Sequence, residues 1–232
     1  MRKIEESCRF CKPQPINGYF EKWGAPQLKN AILFKGKHLR VEPDLLPVHP
    51  EGIHLLIIPD QHLQSFAQLK AYEEELGHTL QRLSAELGTN IVIGEHGGGS
   101  RANGYGESKV QSIYHPHMHV FGVNGHDVLS YMKDTMRRRE GIQCQNIVKA
   151  DGSPIRTISM LYTGHPYIYL QQGETAIFAE DQGDKFPSQI IQRNMGVLYN
   201  GVPLNWKQID QDPGLARLSV QRITAVLKQC QR

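Results

Sequence analysis

The 232-residue sequence has no apolar run approaching the roughly 20 residues a bilayer-spanning helix needs. The stretch from Met1 to Ser7 is charged, where a secretory signal would carry an apolar core. A membrane protein and an exported one are therefore not expected, and a cytoplasmic location is the default. Charge of one sign is also scarce: 26 Lys and Arg against 23 Asp and Glu leave +3, too little to point to nucleic acid as the partner, though it suits a small anionic substrate. Internal repeats and low-complexity tracts are absent. Cysteine is sparse, with Cys8 and Cys11 forming a C-x-x-C pair and Cys144 and Cys230 standing apart. That excludes a disulfide-built scaffold, and a C-x-x-C pair without an export signal reads as a metal or redox site.

What is present is an ordinary globular composition, long enough for a large domain or for a smaller one with an extension. β-rich runs at Asn30 to Val41 and Ile53 to Ile58 flank a Pro-rich turn, and the second, nearly all apolar, reads as a central strand covered on both faces. Ser65 is placed to cap a helix running to about Leu87, where Phe66, Leu69, Leu76, Leu80, Leu83 and Leu87 repeat at three- and four-residue intervals before Gly88. A short strand at Ile91 to Gly94 and a glycine-rich loop from Gly97 to Gly106 follow. Beyond Gly125 the pattern changes to a basic helix from Asp127 to Arg139, an irregular stretch, a hairpin turning at Gly173-Glu174, and helices near Ser188 to Leu198 and Gly214 to Lys228. The fold class expected is α+β. Arg137-Arg138-Arg139 reads as a solvated helix end rather than a phosphate site.

The segment Tyr114-His115-Pro116-His117-Met118-His119-Val120-Phe121 alternates histidine with other residues. In a strand this turns all three imidazoles to one face, about 7 Å apart, too far to share one metal easily. Distinct roles are the natural expectation. Pro116 removes a ladder donor, so the strand should be unpaired on that side there.

The run from Gln111 to Gly122 resembles the signature of the histidine-triad (HIT) superfamily. Cys8-Arg9-Phe10-Cys11 is similar to that family's amino-terminal C-x-F-C, and the strand from His54 through Pro59 to His62 to its segment ending in Pro-x-x-His. The resemblance covers about the first 125 residues. It implies a HIT-like antiparallel sheet of about five strands with helices, in a nucleotide-binding catalytic domain over 1–125, with 126–232 a mixed extension packed on it.

Residue by residue, the resemblance implies that His117 is the nucleophile taking a nucleoside monophosphate from an AMP-type substrate, with His119 and Ser112 as catalytic helpers. Gln111 matches a nucleotide-binding position, and Glu42 and Asp44 are candidates for the ribose. Cys8, Cys11, His62 and His115 match a tetrahedral structural zinc set. Hydrolysis of a phosphoramidate or dinucleoside polyphosphate is the leading expectation. Pro116 is similar to the nucleotidylyltransferase branch, which keeps transfer or phosphorolysis open; a binding-only module is the remaining alternative. Relatives carry asparagine near Ile91 where this chain has Glu95 and His96, so the partner orienting His117 is open. The resemblance also allows a homodimer.

Overall fold

The computed structural model describes residues 8, 10, 19–26, 28, 31–99, 115–148, 153–181, 186–187, 189–205, 208 and 211–230. The elements in chain order are α1 (Tyr19–Lys22), β1 (Phe34–Lys35), β2 (Leu39–Pro43), β3 (His54–Pro59), two 3-10 turns (Phe66–Gln68, Lys70–Tyr72), α2 (Glu73–Leu87), β4 (Ile91–Gly97) and β5 (Met118–Gly122). There follow α3 (Val128–Glu140), β6 (Gln145–Val148), α4 (Pro154–Leu161), β7 (Tyr167–Gln172), β8 (Thr175–Glu180), α5 (Ile190–Asn200) and α6 (Pro213–Cys230). Among the described residues no helix is long and apolar enough to cross a membrane.

The class is α+β, as expected, but the sheet has eight strands, not five, in the order β1-β2-β3-β5-β4-β7-β8-β6, with every neighbouring pair antiparallel. The first five in that order are the strands of the amino-terminal half. β7 continues the sheet by pairing with β4 from Val92↔Gln172 to Gly97↔Tyr167. A ladder donor or acceptor row that would otherwise be an open edge is thus satisfied by the chain's own second half.

Several local expectations are revised. The run from Asn30 is broken by a turn at Gly36, whose N–H donates to Leu39 O at 2.7 Å. The Glu75 carboxylate of α2 holds that turn by accepting from the His38 and Leu39 N–H groups at 2.9 and 3.0 Å. The expected helix from Ser65 is two 3-10 turns before α2 begins. Ser65 does cap the first turn, accepting from Ala67 N at 2.9 Å, but Glu95 Oε1 takes the Phe66 N–H at 2.8 Å and fixes the turn to β4 instead. In the stretch expected to be irregular lie β6 and α4, the latter with Ser153 as N-cap and Pro154 at its first position. Arg137 and Arg138 both pair with Asp134 on the exposed end of α3, as expected of a solvated helix end.

One face of the sheet presents Val41, Leu55, Ile57, Ile93, Val120, Tyr167, Tyr169 and Phe178 to the 3-10 turns, α2 and α4, and these residues form a closed apolar layer. The opposite face carries Val92, Phe121, Ile168, Leu170 and Ile177, covered by α3, α5 and α6. Among the described residues, Leu56 and Ile58 at the β2–β3–β5 end of this face pack on Cys8 and Phe10. The histidines lie on this second face, where the partly exposed Glu42, His96 and His117 mark the region taken as the cleft.

The second half also holds the β2–β3 loop. Arg222 of α6 donates to the carbonyls of Pro47 and Val48 at 2.7 and 3.1 Å, Asn200 donates to Val48 O at 2.7 Å, and Gln192 to Leu46 O at 3.3 Å. Gly52, at φ +81°, allows this contact: a Cβ there would stand 2.0 Å from Arg222 O. A loop with so many buried carbonyls needs those donors.

Candidate active site

The histidine segment is a regular strand only from Met118 onward, so His115, Pro116 and His117 precede β5 rather than forming part of it. With no ladder at this point, the backbone is fixed by side chains. His117 Nδ1 lies 3.0 Å from the carbonyl of His115. A carbonyl only accepts, so the proton is on Nδ1, and in the neutral ring the Nε2 lone pair is the unprotonated one. That is the tautomer an attacking imidazole requires.

His119 stands on the same face, its ring 5.1 Å from that of His117. Its Nδ1 is 2.9 Å from Nε2 of His54, which lies one strand over on β3. Val48 N–H points at the other nitrogen of His54 (3.4 Å), which favours the shared proton on His54 Nε2 and leaves His119 with an Nε2–H. Burial holds both His54 and His119 below the usual imidazole range, His119 well below. The pair is therefore a neutral relay in the free protein.

Asp44 lies behind His54, with a carboxylate oxygen 3.8 Å from Nε2. Its Oδ1 accepts from Leu46 N at 2.8 Å and from Gln192 Nε2 of α5 at 3.2 Å. Glu42, on β2 of the same face, is partly exposed and meets Arg40 Nε at 3.5 Å. Arg40 in turn donates to Phe10 O at 2.9 Å.

The other three described candidates converge at the amino end of the segment. Cys8 Sγ, His62 and His115 bring one ligand atom each within 4.8 Å of one another. His115 is buried, its Nδ1 3.7 Å from Cys8 Sγ and its Nε2 2.7 Å from the Pro59 carbonyl. Nε2–H thus donates to Pro59, and the Nδ1 lone pair faces the thiol. A ligating histidine with its second nitrogen held by a backbone carbonyl is the usual arrangement around zinc. Phe10 packs on both His115 and His117, with ring centroids 5.8 and 5.5 Å away. Cys11, Gln111 and Ser112 lie outside the described residues, as does most of the glycine-rich loop.

Two contributors were missed. His54 was read only as the start of a strand motif; its partnership with His119 depends on the β3–β5 register, Leu56↔His119 and His54↔Phe121, which no local signal gives. His96 was noted only as a departure. On β4 it shares the face of Gly94, which sits opposite His119, and so belongs to the cleft. Glu95, by alternation, points the other way, into the closed layer. There Tyr167 bonds its Oε2, and burial raises its carboxyl to about 8.

The chain is similar in structure to a HIT family hydrolase from Clostridium thermocellum (22% identity, 53% of this chain and 94% of that one, TM-score 0.35). It is likewise similar to a Zn-bound histidine triad family protein from Mycobacterium smegmatis (22% identity, 55% and 82%, TM-score 0.32). Residues 26–126 match the sequence model of the HIT domain, a span that holds β1 to β5 and all three histidines of the triad. The match to the HIT domain is a property of that span, residues 26–126.

Proposed function

We propose that this protein is a nucleotide hydrolase that works through a covalent nucleotidyl intermediate on His117, with transfer to another acceptor as the second reading. The observation that carries it is the His117 Nδ1 contact with the His115 carbonyl at 3.0 Å, which presents Nε2 as the nucleophile. Nε2 attacks the α-phosphorus of an AMP-type substrate, forming a P–N bond as the bond to the leaving group breaks. The leaving group departs with the electron pair, a phosphate as its anion and an amine with a proton taken from solvent, and accepts a hydrogen bond from His119 Nε2–H. His54, which donates to His119 Nδ1 at 2.9 Å, holds His119 in the tautomer that carries this donor. Water then attacks phosphorus, the P–N bond breaks, and AMP leaves. If a phosphate or sugar phosphate replaces water, the same first half-reaction gives transfer; Pro116 between the first two histidines supports keeping that reading.

Glu42 and Asp44 are proposed for the ribose side, Glu42 as the more accessible group and Asp44 as the one that also buttresses His54. Gln111 and Ser112 are proposed for the phosphate and leaving group on the strength of the family resemblance. Cys8, His62 and His115, with Cys11, would hold a structural zinc, which in such a site fixes geometry and performs no chemistry. The fit of the donor set, two thiols and two imidazoles, supports that assignment, and its role would be to anchor the backbone two residues before His117. The domain division at about residue 125 is retained as a functional one, since 126–232 supplies walls of the cleft rather than the triad.

Incubation with α-labelled nucleotide and acid-free quenching within the first turnover should label the wild type and leave His117→Ala blank. Equal labelling of the two proteins would refute the nucleophile. Repeating the chase with water, phosphate or a sugar phosphate separates hydrolysis from transfer.

A further inference from the structure

The triad segment is flanked by two strands, and only one flank has been given a role. On the β3 side stand His54, Asp44 and Glu42, where the ribose is proposed to lie. On the β4 side stands His96. The β4–β5 register runs Ile93↔Val120 and Gly94↔His119, and continued by two residues it sets His96 beside His117, on the same face. Electrostatics agree with this placement, because His96 feels the charge of His117, and His119 feels that of His96.

The remaining surroundings of His96 come from the second half of the chain. β7 lies outside it, with Ile168 as its cross-strand partner. The Phe186 ring meets the imidazole edge-on at 6.0 Å. Asp181, which follows β8 and is 1% exposed, acts on it with the opposite sign of charge. Asp181 is itself held: its N–H donates to Pro166 O at 2.7 Å, and its Oδ2 accepts from Phe186 N at 2.8 Å. The imidazole is partly exposed to the cleft, and among the described residues no hydrogen bond reaches its ring. An imidazole packed by a phenyl edge, backed by a carboxylate and, among the described residues, without a hydrogen-bond partner has donor capacity available to a ligand beside the nucleophile.

We propose that His96, backed by Asp181, is a phosphate-binding group on the leaving-group side of the cleft, so that the site favours substrates whose leaving or accepting group is itself a phosphate. This rests on the nucleotidyl-transfer reading above and narrows its substrate class. With the nucleoside on the β2–β3 flank, an in-line displacement at the α-phosphorus sends the departing group toward the other flank. A neutral amine leaving group makes no use of a donor there; the β- and γ-phosphates of a dinucleoside polyphosphate do. Burial lowers His96 to about 4, so it meets the ligand as a neutral N–H donor in the free protein. A bound phosphate then supplies the negative charge that favours its protonation, with Asp181 behind it. The carboxy-terminal half would thereby contribute specificity as well as support.

The test compares full-length wild type with His96→Ala, His96→Asn and Asp181→Asn on two substrates that share the AMP moiety, diadenosine tetraphosphate and adenosine 5′-phosphoramidate. The ratio of kcat/KM for the first over the second should fall by a factor on the order of 10 to 100 in His96→Ala, the worth of one hydrogen bond to a charged group. His96→Asn, which keeps a donor, should recover part of the ratio, and Asp181→Asn should lower it. A structural role would depress both substrates together and leave the ratio unchanged, which would overturn the inference. If His96→Ala fails to fold, Asp181→Asn carries the same comparison. If the wild type turns over neither substrate, the nucleotidyl-transfer reading fails by itself. Calorimetric binding of inorganic tripolyphosphate then decides the inference: about tenfold weaker binding by the variant supports it, and equal affinity refutes it.

Discussion

Replacing Glu95 with Gln should change the pH dependence of stability by an amount the structure sets. Glu95 is 1% exposed on β4, with Oε1 accepting from Phe66 N at 2.8 Å and Oε2 bonded to the Tyr167 hydroxyl. Burial raises its pKa from 4.5 to about 8. In the neutral acid Oε2–H donates to the phenol oxygen, and the phenol passes its hydrogen to Ser65 Oγ at 2.8 Å. Gln reproduces that pattern, with its amide nitrogen at Oε2 and its oxygen at Oε1. Below pH 4.5 the carboxyl is protonated in folded and unfolded chains alike and its stabilising contribution is complete. As pH rises from 4.5 toward 8 the unfolded chain releases the proton while the folded one keeps it, and stability is lost at about 1.4 kcal/mol per pH unit. Above the folded value both are ionised and the loss levels off. Between about pH 5.5 and about pH 7.5 the wild type should therefore lose about 3 kcal/mol relative to Glu95→Gln, which carries no such proton. Urea unfolding of both proteins across that range measures it, and titrations common to both, including those of the metal ligands, cancel in the difference. Parallel stability curves would refute the reasoning, because they would mean that Glu95 ionises in the folded protein as it does in water.

Metal analysis of the purified protein should find about one zinc per chain. His115→Ala should lose it and unfold at a lower temperature, whereas a metal-free wild type with an intact active site would rule the zinc out. Gly97→Ala should be destabilised by at least about 2 kcal/mol in urea unfolding, since a Cβ there would lie 2.2 Å from the Tyr167 ring that Ser65 and Glu95 hold in place; a wild-type midpoint would contradict the close approach. Arg222→Ala should cost about 2 kcal/mol by leaving the Pro47 carbonyl without its donor, the Val48 carbonyl keeping Asn200, and a loss within a few tenths of a kcal/mol would show that water replaces the guanidinium.

Much of the cleft was legible because its chemistry is local in sequence. Histidine repeating every second residue, Cys8 two residues before Phe10 and three before Cys11, and Pro59 three before His62 are patterns a reader can count, and the structure brings Cys8, His62 and His115 together. The hairpin at Gly173-Glu174 and the helix end at Gly88 were legible for the same reason, as turn and cap chemistry acts within a few residues. The break at Gly36 and the 3-10 turns after Ser65 were not, because each is imposed by a carboxylate from elsewhere, Glu75 in one case and Glu95 in the other.

The sequence by itself determined the α+β class, the central apolar strand β3 and the histidines on one face, since strand alternation and motif spacing need only neighbours along the chain. Only the tertiary structure decided that five strands become eight, that His54 meets His119, and that His96 with Asp181 flanks His117. Those pairings depend on sheet register and on the docking of β7 against β4, and they join residues far apart in the chain whose partners no local pattern names.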